Sequence, residues 1–148
     1  MEKQPLGLYI HIPYCIHKCG YCDFNSHPIK HDEMDHYIDA LVAEMKHYAK
    51  TYSNTNIIKT IFLGGGTPTT LTVCQLERIL KECLKELIVA PDAEITIEAN
   101  PATIDIEQMK SIRQAGYNRI SIGVQSFDKT ELKLLDRAHG PEEIHSTV

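Results

Sequence analysis

Three cysteines, Cys15, Cys19 and Cys22, stand at C-x3-C-x2-C spacing between His11 and Phe24. Thiolates are soft donors that suit iron–sulfur clusters or zinc. Only these three of the cysteines lie close together in sequence. A [4Fe-4S] cluster held by three cysteines keeps one iron without a protein ligand, which leaves a coordination position open for chemistry. The alternative is structural zinc in a Cys3His site completed by His17 or His27. Spacing favours the cluster and leaves zinc open. Cys83 falls on the apolar stripe of a helix and reads as a small core residue. Cys74 takes no role.

Further groups with chemical potential are spread along the chain. Gly64-Gly65-Gly66-Thr67-Pro68 lets backbone approach a ligand closely, although a simple tight turn uses the same residues. Glu98 ends a strand whose alternate residues are apolar, so its carboxylate needs donors such as a ribose diol or an ammonium group. The competing reading is a surface carboxylate. Tyr9 precedes Cys15 by six residues on the polar side of a strand, where a packed tyrosine with a satisfied hydroxyl is the alternative. His11 shares that side and is placed to support the cysteine loop.

Four strand-like runs alternate with four helix-like runs, and these must position the groups above. The strands are expected at Gly7–Ile12, Ile57–Leu63, Glu94–Ala99 and Arg119–Val124. A first helix covers Glu33–Tyr52, with Met34, Ile38, Leu41, Val42, Met45 and Tyr48 at helical spacing. A second starts at Thr72 with a capping box to Gln75 and a stripe of Leu76, Ile79, Leu80, Cys83, Leu84 and Leu87. A third starts at Asp105, with Gln108 as box partner and Gly116 beyond its end. A fourth starts at Asp128 and runs to just before Gly140-Pro141. This alternation predicts an α/β fold with a parallel sheet in one domain, residues 1–148. The strands alternate rather than reading as continuous aliphatic runs. Tyr9 and His11 oppose Leu8, Ile10 and Ile12; Thr96 and Glu98 oppose Ile95 and Ile97; Ser121, Gly123 and Gln125 oppose Ile120, Ile122 and Val124. A polar inner face predicts a ligand cavity at the C-terminal strand ends.

The bulk properties narrow the classes. Net charge is -5 over 148 residues, and Lys/Arg never run beyond a pair, so the basic footprint of a nucleic-acid binder is missing. No stretch approaches the roughly 20 apolar residues of a membrane span. The N-terminus runs straight into a strand-like segment, which predicts no signal peptide and a cytoplasmic location with reduced thiols.

The cysteine motif with an aromatic, Tyr21, before its last member resembles the radical S-adenosylmethionine (SAM) superfamily. Leu8-Tyr9-Ile10-His11-Ile12-Pro13, Gly64-Gly65-Gly66-Thr67-Pro68, Glu98-Ala99-Asn100-Pro101 and Asn118 through Phe127 extend the likeness to one branch. That branch holds oxygen-independent coproporphyrinogen III oxidases and their haem-chaperone relatives. The resemblance implies a [4Fe-4S] cluster on Cys15, Cys19 and Cys22. It also implies SAM contacts from Tyr9, Tyr21, Gly65, Gly66, Thr67, Glu98, Gln125 and Arg137, although a solvated helix position remains the alternative for Arg137. The implied chemistry is reductive cleavage of SAM to methionine and a 5′-deoxyadenosyl radical. The implied partners are haem or porphyrin, together with an electron donor such as flavodoxin or ferredoxin. The implied fold is a partial (β/α) radical SAM barrel, about four of six βα units, hence a truncated core domain. Two departures favour the haem-chaperone branch over a true coproporphyrinogen dehydrogenase. Asp23 and Phe24 follow Cys22 where a fourth cysteine is usual, and little chain precedes Tyr9. An inactive truncated fragment is the remaining expectation.

Overall fold

The computed structural model describes residues 2–101 and 103–147. Alternating residues form β1 (Gln4–Ile12), which begins earlier than alternation alone marks. Pairing is the reason: Gln4, Pro5 and Leu6 align with Asn56, Ile57 and Ile58. The cysteine segment holds two short strands that no periodicity announces, β2 (Tyr14–Cys15) and β3 (His27–Pro28), paired in parallel. Then come α1 (His31–Tyr52), β4 (Asn56–Gly65), a 3-10 turn at Pro68–Thr70, α2 (Val73–Glu86) and β5 (Val89–Ala99). The chain continues through α3 (Ile106–Ala115), β6 (Arg119–Ile122), α4 (Lys129–Leu134) and α5 (Pro141–Thr147).

The main sheet has the order β1-β4-β5-β6, and every neighbouring pair is parallel. Ile12 pairs with Gly65, Leu63 with Ile97, and Ala99 with Ile122. The four C-terminal ends therefore open side by side. Parallel neighbours need helical crossovers, and α1, α2 and α3 supply them. Helix faces pack on the apolar strand faces: Ile38, Val42, Leu76, Ile79, Leu80 and Cys83 join Ile10, Ile12, Ile61, Leu63 and Ile97 in one core. Tyr117 is buried beside them and donates its hydroxyl to Leu76 O at 3.1 Å.

Helix ends follow local chemistry. The Thr72–Gln75 box forms in both directions: Gln75 N–H donates to Thr72 Oγ1 at 3.2 Å, and Thr72 N–H to Gln75 Oε1 at 2.9 Å. At α3 only half of the expected box forms, with Gln108 N–H donating to Asp105 Oδ1 at 2.8 Å. Gly116 closes that helix in the left-handed region.

Several expectations fail for identifiable reasons. The fourth strand stops at Ile122, not Val124, because after the last ladder bond, Gly123 N–H to Ala99 O at 2.9 Å, Val124 N–H turns back to Ile122 O at 3.0 Å and Gln125 turns the chain at φ 69°. The fourth helix does not reach Gly140. It ends at Leu134, and Asp136 takes a left-handed φ of 53° while Arg137 N–H donates back to Leu132 O at 3.0 Å. Asp tolerates that region better than most residues, so the kink is chemically permitted. Tyr48 and Leu84 sit on their expected stripes but are exposed, because α1 and α2 are covered on narrower faces than the stripes span. Ile120 is exposed because β6 is an edge strand. No helix among the described residues is long and apolar enough to cross a membrane.

The core carries a titration signature. Burial pushes the Cys83 thiol from 9.0 up to about 12. Burial, with Cys83 adding to it, also pushes the Tyr117 phenol well above its usual range. Both groups release protons more readily in the unfolded chain, so their contribution to stability is intact below about pH 9 and fades as pH rises toward 12. Each group contributes a slope of about 1.4 kcal/mol per pH unit. Urea midpoints should fall from about pH 9 to about pH 11, and Cys83→Ala should make that fall shallower. Parallel declines in the two proteins would contradict the assignment.

Candidate functional site

The cysteine loop is built on backbone that extends the sheet. Gly66 N–H donates to Ile12 O at 2.7 Å, and Thr67 N–H donates to Tyr14 O at 2.7 Å. These bonds seat β2, and with it Cys15, against the glycine turn. Ile29 N–H donates to Cys15 O at 2.9 Å and His27 N–H to Pro13 O at 2.8 Å, which brings the far end of the loop home. His11 Nε2 donates to Asn25 O at 2.8 Å, so its Nδ1 accepts from Tyr9 Oη at 3.0 Å. His11 thus supports the loop as its place on the polar face suggests.

The glycine turn needs its glycines. Gly65 has φ 117°, and a Cβ there would fall 2.6 Å from the His11 ring. A Cβ on Gly66 would lie 2.5 Å from Tyr14 O and 3.0 Å from Cys15 Sγ. Beside them, Gly65 N–H donates to Glu98 Oε2 at 3.2 Å. Glu98 is half-buried, in keeping with its place on a central strand.

These features line one cavity of about 620 Å³ at the C-terminal strand ends. That volume suits a cofactor-sized ligand. Its wall carries Cys15, Cys19, Cys22, Tyr21, Gly65, Gly66, Thr67, Glu98, Gln125 and Arg137. Tyr9 is not on that wall. It is 56% exposed, stacks on Phe62 with ring centroids 6.2 Å apart, and hydrogen-bonds His11. Partial burial of its hydroxyl and, second, the Glu98 carboxylate push the Tyr9 phenol upward.

Arg137 points inward instead of lying on a solvated helix. Its Nη2 donates to Asn100 Oδ1 at 2.7 Å and Gly123 O at 2.9 Å; its Nη1 reaches Cys19 Sγ at 3.5 Å and Tyr21 Oη at 3.4 Å. Its Nε is buried with no partner among the described residues. Asn100 is the hub that the residue-by-residue reading left without a role. Its Nδ2 donates to Thr67 Oγ1 at 2.9 Å, and Thr67 Oγ1 lies 3.9 Å from Cys15 Sγ. The position after β5 and before Pro101 was the available signal. Lys18 and Asp136 also hold the loop, and nothing in their sequence context marks them. His139 packs behind Arg137, and burial, followed by that guanidinium, pushes its pKa down.

The donor set fits a cluster. Cys15 and Cys19 are buried and Cys22 half-buried, all as free thiols on one wall. Among the described residues no three His, Cys, Asp or Glu side chains close on a single-ion position. The histidines that would complete a zinc site turn elsewhere, His17 to Asp136 Oδ2 at 2.9 Å and His27 to Pro28 O at 3.0 Å. Three soft thiolates on one cavity wall are a donor set that an iron–sulfur cluster accepts.

Comparison with known proteins agrees with this layout. The radical SAM superfamily matches residues 9–148. The chain is 47% identical over 144 residues to the heme chaperone HemW of Escherichia coli (strain K12), covering 97% of this chain and 38% of that protein. It is 42% identical over 152 residues to HemW of Haemophilus influenzae, covering 99% and 39%. Among solved structures it resembles coproporphyrinogen III oxidase (HemN) from Escherichia coli, described as a radical SAM enzyme. That likeness has a TM-score of 0.87 at 36% identity over 96% of this chain and 33% of that one. The chain therefore spans about 38% of the length of the curated relatives it matches.

The glycine turn yields a direct test. Gly66→Ala sets its Cβ against Tyr14 backbone, which cannot step aside as a flexible side chain can. Urea denaturation should show a loss of about 1–3 kcal/mol. An unchanged midpoint would mean that the turn tolerates a side chain.

Proposed function

Because the chain belongs to the radical SAM superfamily, we propose that Cys15, Cys19 and Cys22 hold a [4Fe-4S] cluster with SAM at its open iron. The observation that carries this reading is the single cavity that gathers the three thiols, the glycine turn, Glu98 and Arg137. When bound, the pair supplies reductive cleavage of the sulfonium, the one step no side chain can perform.

The chain's own residues bind and orient. Gly65, Gly66 and Thr67 let a charged amino-acid end approach backbone. Glu98, beside that turn with Oε2 3.2 Å from Gly65 N, has further acceptor positions for a ribose diol or an ammonium group. Gln125, at a left-handed turn, and Tyr21 close the remaining wall. Arg137 offers its positive charge on the cavity wall to a carboxylate or carbonyl oxygen. Tyr9 acts indirectly, by fixing the His11 ring beneath the turn.

Within the superfamily we place the chain on the haem-chaperone branch, acting on haem or porphyrin in the cytoplasm with a flavodoxin or ferredoxin as electron donor. The identity to HemW over nearly all of the chain supports that placement, as does the lack of a cysteine at position 24. The second reading is oxidative decarboxylation of coproporphyrinogen III, favoured by the backbone likeness to HemN.

Anaerobic reconstitution with iron and sulfide tests the cluster. The chain should retain about four irons, and each single Cys→Ala change at 15, 19 or 22 should lower retained iron about tenfold or more. SAM added to the reduced protein should then yield 5′-deoxyadenosine. Stoichiometric zinc with no visible cluster absorbance would sink the proposal. A Soret shift on haem titration separates the chaperone reading from the decarboxylase reading, which requires protoporphyrinogen as product.

A further inference from the structure

The cysteine loop is tied down unevenly. Its start rests on Gly66 and Thr67, and its end on Pro13, Cys15 and His11. Lys18 Nζ bonds only within the loop, to Phe24 O at 3.2 Å and Ser26 O at 2.8 Å. The tip, residues 16–22, carries Cys19 and Cys22. Among the described residues, every hydrogen bond from that tip to chain outside the loop goes to Asp136 or Arg137. Asp136 Oδ2 accepts from His17 Nε2 at 2.9 Å and from Gly20 N–H at 3.2 Å, so its two donors flank Cys19. Its neighbour Arg137 reaches Cys19 Sγ and Tyr21 Oη. The left-handed turn at Asp136 lets two adjacent residues grip the tip from the far edge of the site.

We propose that Asp136 is a positioning residue that latches the tip of the cysteine loop over the cavity and holds Cys19 in place. Its purpose, keeping a cluster ligand in register, rests on the cluster reading above; the latch itself rests on the chain's own hydrogen bonds. The His17 and Asp136 side chains are 43% and 58% exposed, so their ion pair adds little to global stability. The consequence is local: without the carboxylate the tip opens while the core stays folded.

Two substitutions isolate the carboxylate. Asp136→Gly keeps the left-handed backbone and removes the acceptor; Asp136→Asn keeps an acceptor oxygen. Iodoacetamide alkylation of the metal-free chain, read cysteine by cysteine by peptide mass spectrometry, should be about fivefold faster at Cys19 in Asp136→Gly. It should rise by less than about twofold in Asp136→Asn, and Cys83 should stay protected in both. An unchanged Cys19 rate overturns the latch. An equal rise at Cys83 also overturns it, because the change would then be global unfolding. In the reconstituted protein, Asp136→Gly should release iron to a chelator about fivefold faster. Faster alkylation with unchanged iron release would overturn the role in cluster positioning. A wild-type chain that takes up no cluster would sink the cluster reading, and the alkylation comparison would still decide the latch.

Discussion

Two backbone hydrogen bonds, Gly66 N–H to Ile12 O and Thr67 N–H to Tyr14 O, carry the β1–β4 pairing beyond the end of the sheet. Everything at the site depends on that extension. It turns the residues after β1 into β2, lays Cys15 on the glycine turn, and sets the origin of the loop that carries the other two thiols. A side chain at Gly66 would occupy the space that Tyr14 O and Cys15 Sγ use. The glycines are therefore structural before they are ligand-binding. Lacking side chains, they let two backbones meet.

Much of this arrangement was readable from the sequence, and the reason is periodicity. β1 and β5 alternate in sequence because one face meets helices and the other does not. The capping pairs at Thr72 and Asp105 mark helix starts because unpaired N–H groups demand acceptors. What stayed hidden depends on long-range pairing. The early starts of β1 and β5 follow from neighbours, Asn56 for Gln4 and Ile58 for Val89, that local pattern does not reveal. The break after α4 is hidden because residues 128–139 carry no glycine or proline. Asp136 instead enters the left-handed region by virtue of its contacts to His17 and Gly20.

The candidate site shows the same division. Cysteine spacing, the glycine run and Glu98 announced themselves by residue type. Asn100 did not, because an asparagine beside a proline is ordinary turn chemistry. Its role emerges only when Thr67 and Arg137 bond to it and Gly123 packs against its Oδ1 from three other segments. Tyr9 shows the opposite relation between residue type and place. Its place on the polar strand face is as the alternation requires, yet β1 is an edge strand, and the ring lies along Phe62 rather than over the cavity.

Arg137 brings these threads to one group. A guanidinium has five N–H donors. Four directions are taken up by Asn100, Gly123, Cys19 and Tyr21. The fifth, Nε, is buried and has no partner among the described residues. A buried unpaired donor costs roughly 1–3 kcal/mol, more when charged. The four contacts made by Nη1 and Nη2 offset that cost and fix the plane of the guanidinium, so its charge has one orientation on the cavity wall. Preorganisation of this kind makes a charged wall selective, because the group will not move to meet an acceptor. The kink at Asp136 is what places that guanidinium, so the residue that bonds the tip of the cysteine loop also fixes its neighbour on the cavity wall.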